Sequence, residues 1–370
     1  LARGARVSAI ASLPRDTAAA GTVATLPTVI LMDYRYLGRS ALKVSPLCLG
    51  TMMFGGATDE PTAQRIIAHA HAQGVNFIDT ADVYTGGAAE CIVGRGIASQ
   101  RDDWVLASKF GSPVDTAPNR QGQSRKWINQ VVEASLKRLG TDYLDILYFH
   151  RAVPGVTLEE GVRAVGDLIR QGKVRYFAVS NFRGWYIAEV VRLADDMGLD
   201  RPVASQPLYN LVNRTVEVEQ LPAAHHYGLG VVPYSPLARG VLTGKYAPDG
   251  PPPSDSRAGR GDQRIRQTEW RRESLHIAQS VAAHAASRGT SSAAFALAWV
   301  LNNRCVSSVI AGPRTEAQWY GYLEALQVRI EEQDECFVDS LVPPGHCSTP
   351  HYTDPSYPVE GRFSSPLPRR

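Results

Sequence analysis

The sequence predicts an α/β fold of the closed (β/α)₈ TIM-barrel type, with an N-terminal β-hairpin and extra helices. Three observations predict it. Strand-like and helix-like runs alternate through eight repeats between residues 47 and 326. The strand runs are almost continuously apolar, as parallel strands covered on both faces must be. No G-x-G-x-x-G follows the first of them, and Gly50-Thr-Met-Met-Phe-Gly55 does not match it. The usual mark of the competing open, doubly wound sheet is therefore missing. Barrels of this kind run to about 250 residues, so a chain of 370 residues has room for one barrel and its terminal segments.

Residues 1–31 are rich in Ala, Thr and Arg, contain one acidic residue (Asp16) and show no helical or strand period. They read as a non-structural extension, with Met32 the expected start of the regular chain. Pro27 interrupts the apolar patch near Ile30, which argues against a secretory signal. Tyr34 to Ser40 and Leu42 to Pro46 flank Gly38 and read as a short hairpin. Strands are then predicted at 47–51, 76–80, 105–109, 143–149, 174–180, 203–206, 230–234 and 306–311. Helices are predicted at 60–73, 88–99, 125–139, 158–171, 184–197 and 217–227, with a pair at 271–287 and 291–302 and a last one at 315–326. Gly74, Gly140, Gly172, Gly198 and Gly228 stand just past helix ends, where a left-handed residue closes the last turn. Residues 32–342 thus form the expected barrel. Pro343 to Arg370, dense in Pro and Ser, reads as a mobile tail.

Composition removes several function classes. The chain is 44% apolar and 20% charged, an ordinary globular balance. A net charge of +3 gives no case for nucleic acid or an anionic membrane as partner. The five cysteines are scattered without a C-x-x-C, which suits a reducing, cytoplasmic compartment and argues against a disulfide frame or a zinc site. No apolar stretch approaches the roughly 18 residues needed to span a bilayer.

The chemistry begins at Phe77-Ile-Asp-Thr-Ala-Asp-Val-Tyr84, where an apolar run ends on a carboxylate and a phenol follows. Two further runs end on ionisable groups: Val105-Leu-Ala-Ser-Lys109 and Leu144-Asp-Ile-Leu-Tyr-Phe-His150. Strand alternation puts Val105, Ala107 and Lys109 on one face of their strand, and Ile146, Tyr148 and His150 likewise on one face of theirs. In a barrel these ends meet at the carboxyl rim, where active sites lie. Singly, each residue has an ordinary structural reading: Asp79 as a helix cap, Tyr84 as packing, His150 as a core histidine. Lys109 is harder to dismiss, because a buried ammonium needs a partner. Together, Asp79 supplies its counter-charge. Lys109 is then expected to favour the Tyr84 phenolate and lower a pKa that starts near 10. A Tyr so tuned is a general acid, and His150 could orient a carbonyl oxygen.

These segments resemble the aldo-keto reductases. The resemblance spans Met32 to about Val342. It rests on Phe77 to Tyr84, Ala107-Ser-Lys-Phe110, Tyr148-Phe-His150, Val179-Ser-Asn-Phe182 and Tyr234-Ser-Pro-Leu-Ala-Arg-Gly-Val-Leu-Thr-Gly-Lys-Tyr246. The opening Met32 to Ser40 and Leu49-Gly-Thr-Met52 look like the bacterial branch that also resembles potassium-channel β subunits. The resemblance implies a catalytic tetrad of Asp79, Tyr84, Lys109 and His150, with hydride passing from NADPH to a carbonyl carbon while Tyr84 protonates the oxygen. It also implies a cofactor site. Gly50, Thr51, Met52 and Asp79 would border it, Ser180, Asn181 and Gln206 would hold the carboxamide, and Tyr234 would stack on the nicotinamide. Amide side chains suit that task, since each presents donor and acceptor together. Ser235, Pro236, Leu237, Arg239, Gly240 and Lys245 would follow the pyrophosphate, with Arg257 in a lid. Gly312, Arg314 and Gln318 would close over the adenosine end, Arg314 on the 2′-phosphate, which a guanidinium grips bidentately. NADPH is therefore favoured over NADH. Gly321 and Tyr322 depart from the acidic residue and Asn that the family usually places against the adenine, so adenine recognition must differ here.

Two rivals come from other classes. One is an NADPH-binding redox-sensing or regulatory subunit that serves a protein partner with little turnover. The other is a barrel aldolase using Lys109 as a Schiff-base nucleophile, against which Asp79 argues by keeping the ammonium protonated. The small-molecule partner implied by the leading reading is a carbonyl compound.

Overall fold

The computed structural model describes residues 32–153 and 155–357, so the expected extension at 1–31 lies outside the described residues. Eight parallel strands follow one another around the sheet: β3 (Leu47–Gly50), β4 (Phe77–Asp79), β5 (Val105–Phe110), β6 (Leu144–Phe149), β7 (Val174–Ser180), β8 (Ala204–Gln206), β9 (Gly230–Val231) and β10 (Val309–Ala311). β10 pairs with β3. The remaining seam, between β9 and β10, is bridged by Val231 with Val306 and by the Ile310 amide donating to the Pro233 carbonyl at 2.9 Å. The sheet is thus a barrel. Every strand expected from the sequence is present: β7 matches its expected span, β5 runs one residue longer, and the other six are one to three residues shorter.

The two-residue strands β1 (Arg35–Tyr36) and β2 (Lys43–Val44) form the antiparallel hairpin. Its Leu37 and Val44 are fully buried against the barrel core. Gly38 has φ +58°, and a Cβ there would lie 2.4 Å from the Gly228 carbonyl oxygen, so only glycine allows this close approach.

The helices α1 (Glu60–Ala72), α2 (Ala88–Ile97), α3 (Arg125–Leu139), α4 (Glu159–Arg170), α5 (Gly184–Asp196) and α6 (Gln220–Tyr227) match their predicted spans to within about three residues. Local signals set their ends. The Asp59 and Ser124 side chains cap α1 and α3, and Gly140 closes α3 at φ 64°. α7 (Gln263–Thr268) lies in the arginine-rich loop after β9 and was not foreseen. α8 (Arg272–Ser287), α9 (Ser292–Asn302) and α10 (Glu316–Leu323) follow as expected. α11 (Glu332–Leu341), also unforeseen, opens on a capping box between Glu331 and Asp334. No helix of the described residues is long and apolar enough to cross a membrane.

The barrel interior is filled by every second residue of each strand: Cys48, Phe77, Val105, Ala107, Ile146, Tyr148, Ala178, Ala204, Val232 and Ile310. This period fixes the site. The next residue on the same inward face is Asp79 after Phe77, Lys109 after Ala107, His150 after Tyr148, Ser180 after Ala178, Gln206 after Ala204 and Tyr234 after Val232.

Of the tail expected at 343–370, residues 358–370 lie outside the described residues and residues 343–357 hydrogen-bond to the barrel. The Arg214 amide donates to the His346 carbonyl (2.8 Å) and the Ser348 amide to that of Val212 (3.0 Å). Asp354 accepts from both terminal nitrogens of Arg264. Composition describes the segment alone; these partners come from distant parts of the chain.

Candidate active site

Register explains why three strand ends converge. Asp79 pairs with Ala107, two residues before Lys109, and Lys109 pairs with Tyr148, two before His150. The ionisable side chain moves two residues further along with each strand. Strands in a closed barrel tilt and are staggered, so this step keeps the three groups at one level around the rim.

Lys109 is the buried centre, with its side chain fully shielded from solvent. Its three ammonium protons have three acceptors: Asp79 Oδ1, the Thr80 carbonyl (2.8 Å) and Tyr84 Oη (3.2 Å). The other Asp79 oxygen accepts from Gln206 Nε2 at 3.0 Å. Burial pulls the Lys109 pKa down, but Asp79 and Tyr84 outweigh it and leave it raised. A protonated amine is no nucleophile, which disfavours the Schiff-base reading.

Tyr84 corrects one expectation. Its pKa is raised, because burial outweighs the offsetting ammonium of Lys109. The phenol therefore holds its proton. Because Lys109 donates to the phenolic oxygen, the O–H is left to point elsewhere. The His150 ring stands edge-on to Tyr84, centroids 6.1 Å apart. Burial, then the charges of Lys109 and Arg151, drop the His150 pKa to about 3, so the imidazole is neutral at working pH. Its Nδ1 is buried and has no hydrogen-bond partner among the described residues.

Across the rim, the Tyr234 hydroxyl donates to Asn181 Oδ1 (2.9 Å), and Asn181 Nδ2 donates to the His150 carbonyl (2.9 Å) and Ser180 Oγ (3.0 Å). Ser180 Oγ donates to the Gln206 carbonyl. Asn181 takes φ +59°, a costly conformation for a non-glycine residue that such bonds can hold.

A single cavity of about 540 Å³ gathers these groups. Every site residue singled out in the sequence lines it except Lys109, which lies behind Asp79 and Tyr84. One side is cationic: Arg239, Lys245, Arg257, Arg260, Arg264 and Arg314 all border it. Ser235, Ala238, Arg239 and Gly240 in this stretch have positive φ, and the Ala238 and Gly240 amides donate to the Ser235 and Leu237 carbonyls (2.9 and 2.8 Å) within the turn. Two of the arginines expected at the cofactor, Arg257 of the lid and Arg314 of the 2′-phosphate, meet carboxylates in this structure. Arg257 pairs with Asp262 (2.7 Å) and Arg314 reaches the exposed Asp255 (3.4 Å). Gly321 and Tyr322 also border the cavity. A Cβ on Gly321 would meet nothing within 4 Å, so the glycine leaves open space there.

The family model for the aldo/keto reductase family matches residues 46–342. The chain belongs to the aldo/keto reductase family. Among similar proteins is an oxidoreductase of Bacillus subtilis (strain 168), YrpG, 37% identical over 331 residues that cover 86% of this chain and 98% of the relative. A probable voltage-gated potassium channel subunit beta of Arabidopsis thaliana is 39% identical over 305 residues, 80% of this chain and 92% of that one. A putative one of Schizosaccharomyces pombe is 35% identical over 323 residues, 84% and 90% of the two chains. The chain is thus an oxidoreductase of the aldo/keto reductase family.

Sequence reasoning missed several cavity residues, among them Met53, Ser112, Arg151, Ser356 and Tyr357. Arg151, next to His150, was readable from strand position. Ser356 and Tyr357 were hidden in a segment whose composition suggests no fold. Asp82 was also overlooked. Both its carboxylate oxygens are buried without a hydrogen-bond partner among the described residues, and burial, then Glu90, lift its pKa to about 7.

Proposed function

We propose that this aldo/keto reductase reduces an aldehyde or ketone to the alcohol at the expense of NADPH, with Tyr84 as proton donor. The observation that carries the reading is the Lys109 ammonium held between Asp79 and Tyr84 at the wall of the cavity. A dihydronicotinamide bound there would supply the hydride. Everything else falls to the chain. Asp79 and Gln206 fix Lys109; Lys109 orients the phenol so that its proton is available to a carbonyl oxygen; neutral His150 positions that oxygen. Charge developing on the oxygen is met by donors already in place, which costs no reorganisation at the moment of reaction.

The residues present suit such a cofactor. Ser180, Asn181 and Gln206 would hold the carboxamide and Tyr234 would face the ring. The cationic wall would take the pyrophosphate. Arg314 would exchange its exposed Asp255 partner for the 2′-phosphate, and the space at Gly321, beside Tyr322, would admit the adenine. Five free thiols fit a reducing compartment, and we place the protein in the cytoplasm.

The direct test is NADPH oxidation by purified protein across a panel of aldehydes and ketones. Turnover of at least one carbonyl class, with NADPH preferred to NADH, is expected. The likeness to channel β subunits favours a second reading, a cofactor-binding subunit that serves a partner. Tight NADPH binding with no turnover across the panel would select it.

A further inference from the structure

The arginines that border the cavity are not alike. Arg239 donates to Thr268 Oγ1 (3.2 Å) and Arg260 to the Asp255 carbonyl, while Arg257, Arg264 and Arg314 pair with Asp262, Asp354 and Asp255. Arg151 also borders the cavity, yet its guanidinium has no hydrogen bond or ion pair among the described residues. Lys245 lacks an acceptor too, but it stands on the loop after β9 with the phosphate wall. Arg151 instead follows His150 at the exit of β6. Its starting point is fixed, because the His150 amide donates to the Phe110 carbonyl (2.9 Å) and the His150 carbonyl accepts from Asn181 Nδ2 (2.9 Å). The side chain is half-buried, and its charge helps to keep the His150 imidazole neutral. Charge does not balance at this end of the cavity. Asp79 cancels Lys109 and His150 is neutral, so the charge of Arg151 is left over. A donor-only group withdrawn from water calls for an acceptor.

We propose that Arg151 is a specificity-determining residue that pairs with a carboxylate on the substrate, so that the favoured substrate is an aldehyde or ketone with an acid group a few carbons from its carbonyl. The proposal rests on the reductase reading above. His150 positions the carbonyl oxygen and Arg151 is its chain neighbour, so an acid on a short chain reaches the guanidinium while the oxygen stays at Tyr84. The planar fork of a guanidinium matches the two oxygens of a carboxylate. One guanidinium also balances one negative charge, whereas a phosphate would bring an excess. The phosphates of a cofactor have their own cations on the far wall, and no carboxylate among the described residues competes for Arg151.

The experiment uses the full chain and compares kcat/KM at saturating NADPH for glutaric semialdehyde and its methyl ester, the same aldehyde without the charge. The wild-type protein is expected to prefer the acid about thirtyfold, the scale of a hydrogen bond between charged groups. Arg151→Gln should lower kcat/KM for the acid by about that factor and for the ester far less, carrying the ratio to near one. Arg151→Lys, which keeps the charge without the fork, should retain part of the preference. A wild-type ratio near one overturns the proposal, as does an equal loss on both substrates in Arg151→Gln. Weaker NADPH binding in that variant with the ratio unchanged also overturns it, by giving Arg151 to the cofactor. If the wild-type protein turns over neither aldehyde, the reductase reading falls separately. Calorimetric binding of the two compounds to the NADP⁺ complex then decides the role of Arg151: tighter binding of the acid that Arg151→Gln abolishes supports it, and equal binding or none overturns it.

Discussion

The two sides of the cavity are built on opposite plans. On one, Asp79, Lys109 and His150 end consecutive strands, their heights set by sheet register, and the ammonium is fully hydrogen-bonded in the dry interior. On the other, Arg239, Arg257, Arg260, Arg264 and Arg314 stand on loops and a one-and-a-half-turn helix, several paired with carboxylates such as Asp262, Asp354 and Asp255. The first side is rigid because moving Asp79 or Lys109 strands a buried charge. The second can exchange partners more easily where a pair is open to water, as at Arg314 and the exposed Asp255, since such pairs are worth little. Chemistry that needs fixed distances sits on strands; recognition of a large anion, which arrives and leaves, sits on loops.

The sharpest way to break this comparison is Tyr84→Phe. Losing only the proton donor should cut kcat by about a thousandfold, within the span general-acid catalysis supplies. NADPH affinity, followed by quenching of protein fluorescence, should stay within about twofold. Near-normal turnover would remove the strand side from the chemistry.

Lys109→Met comes next. It should lower kcat about a hundredfold, and by stranding Asp79 in the interior it should lose roughly 3–5 kcal/mol of stability in urea unfolding. Adding Asp79→Asn should restore much of that stability but not the activity. A lone Lys109→Met variant as stable as wild type would deny that the pair is buried as described.

On the loop side the effects should be smaller. Arg314→Ala is expected to weaken NADPH about tenfold, the scale of one charge-assisted contact, and NADH by less than twofold. Equal losses for both cofactors would move the 2′-phosphate elsewhere.

The smallest effect is on stability against pH, and it separates two groups on the same rim. Folding lowers the His150 pKa to about 3, so between that value and about 6.5 the unfolded chain binds the extra proton and stability rises with pH. Folding raises the Asp82 pKa to about 7, so between about 3.9 and 7 the native state binds the extra proton and stability falls with pH. Each slope is at most about 1.4 kcal/mol per unit, and they oppose each other. Relative to wild type, Asp82→Asn should steepen the rise between pH 4 and 6.5, and His150→Asn should tilt the curve the other way. Parallel curves for all three proteins would show that neither group is buried as the fold implies.

How much of this was legible beforehand varies by residue. The apolar runs and their inward period announced the barrel and the convergence of Asp79, Lys109 and His150. The helix caps set most helix limits. The Tyr84 pKa was misjudged, because a sequence shows that a lysine is near in the fold but not how much water burial removes. α7 and the path of residues 343–357 were missed, since neither carries an apolar period. Tyr357 could have been suspected only as an aromatic in an otherwise Pro- and Ser-rich stretch.

By itself, then, the sequence determined what repeats locally: strand and helix periods, cap residues and the inward-facing step that places acid, ammonium and imidazole on one rim. Only the tertiary structure decided which carboxylate meets which guanidinium, that burial outweighs Lys109 at Tyr84, and that Tyr357 enters the cavity. Those outcomes depend on side chains far apart in the chain and on the exclusion of water between them, and neither is encoded in local pattern.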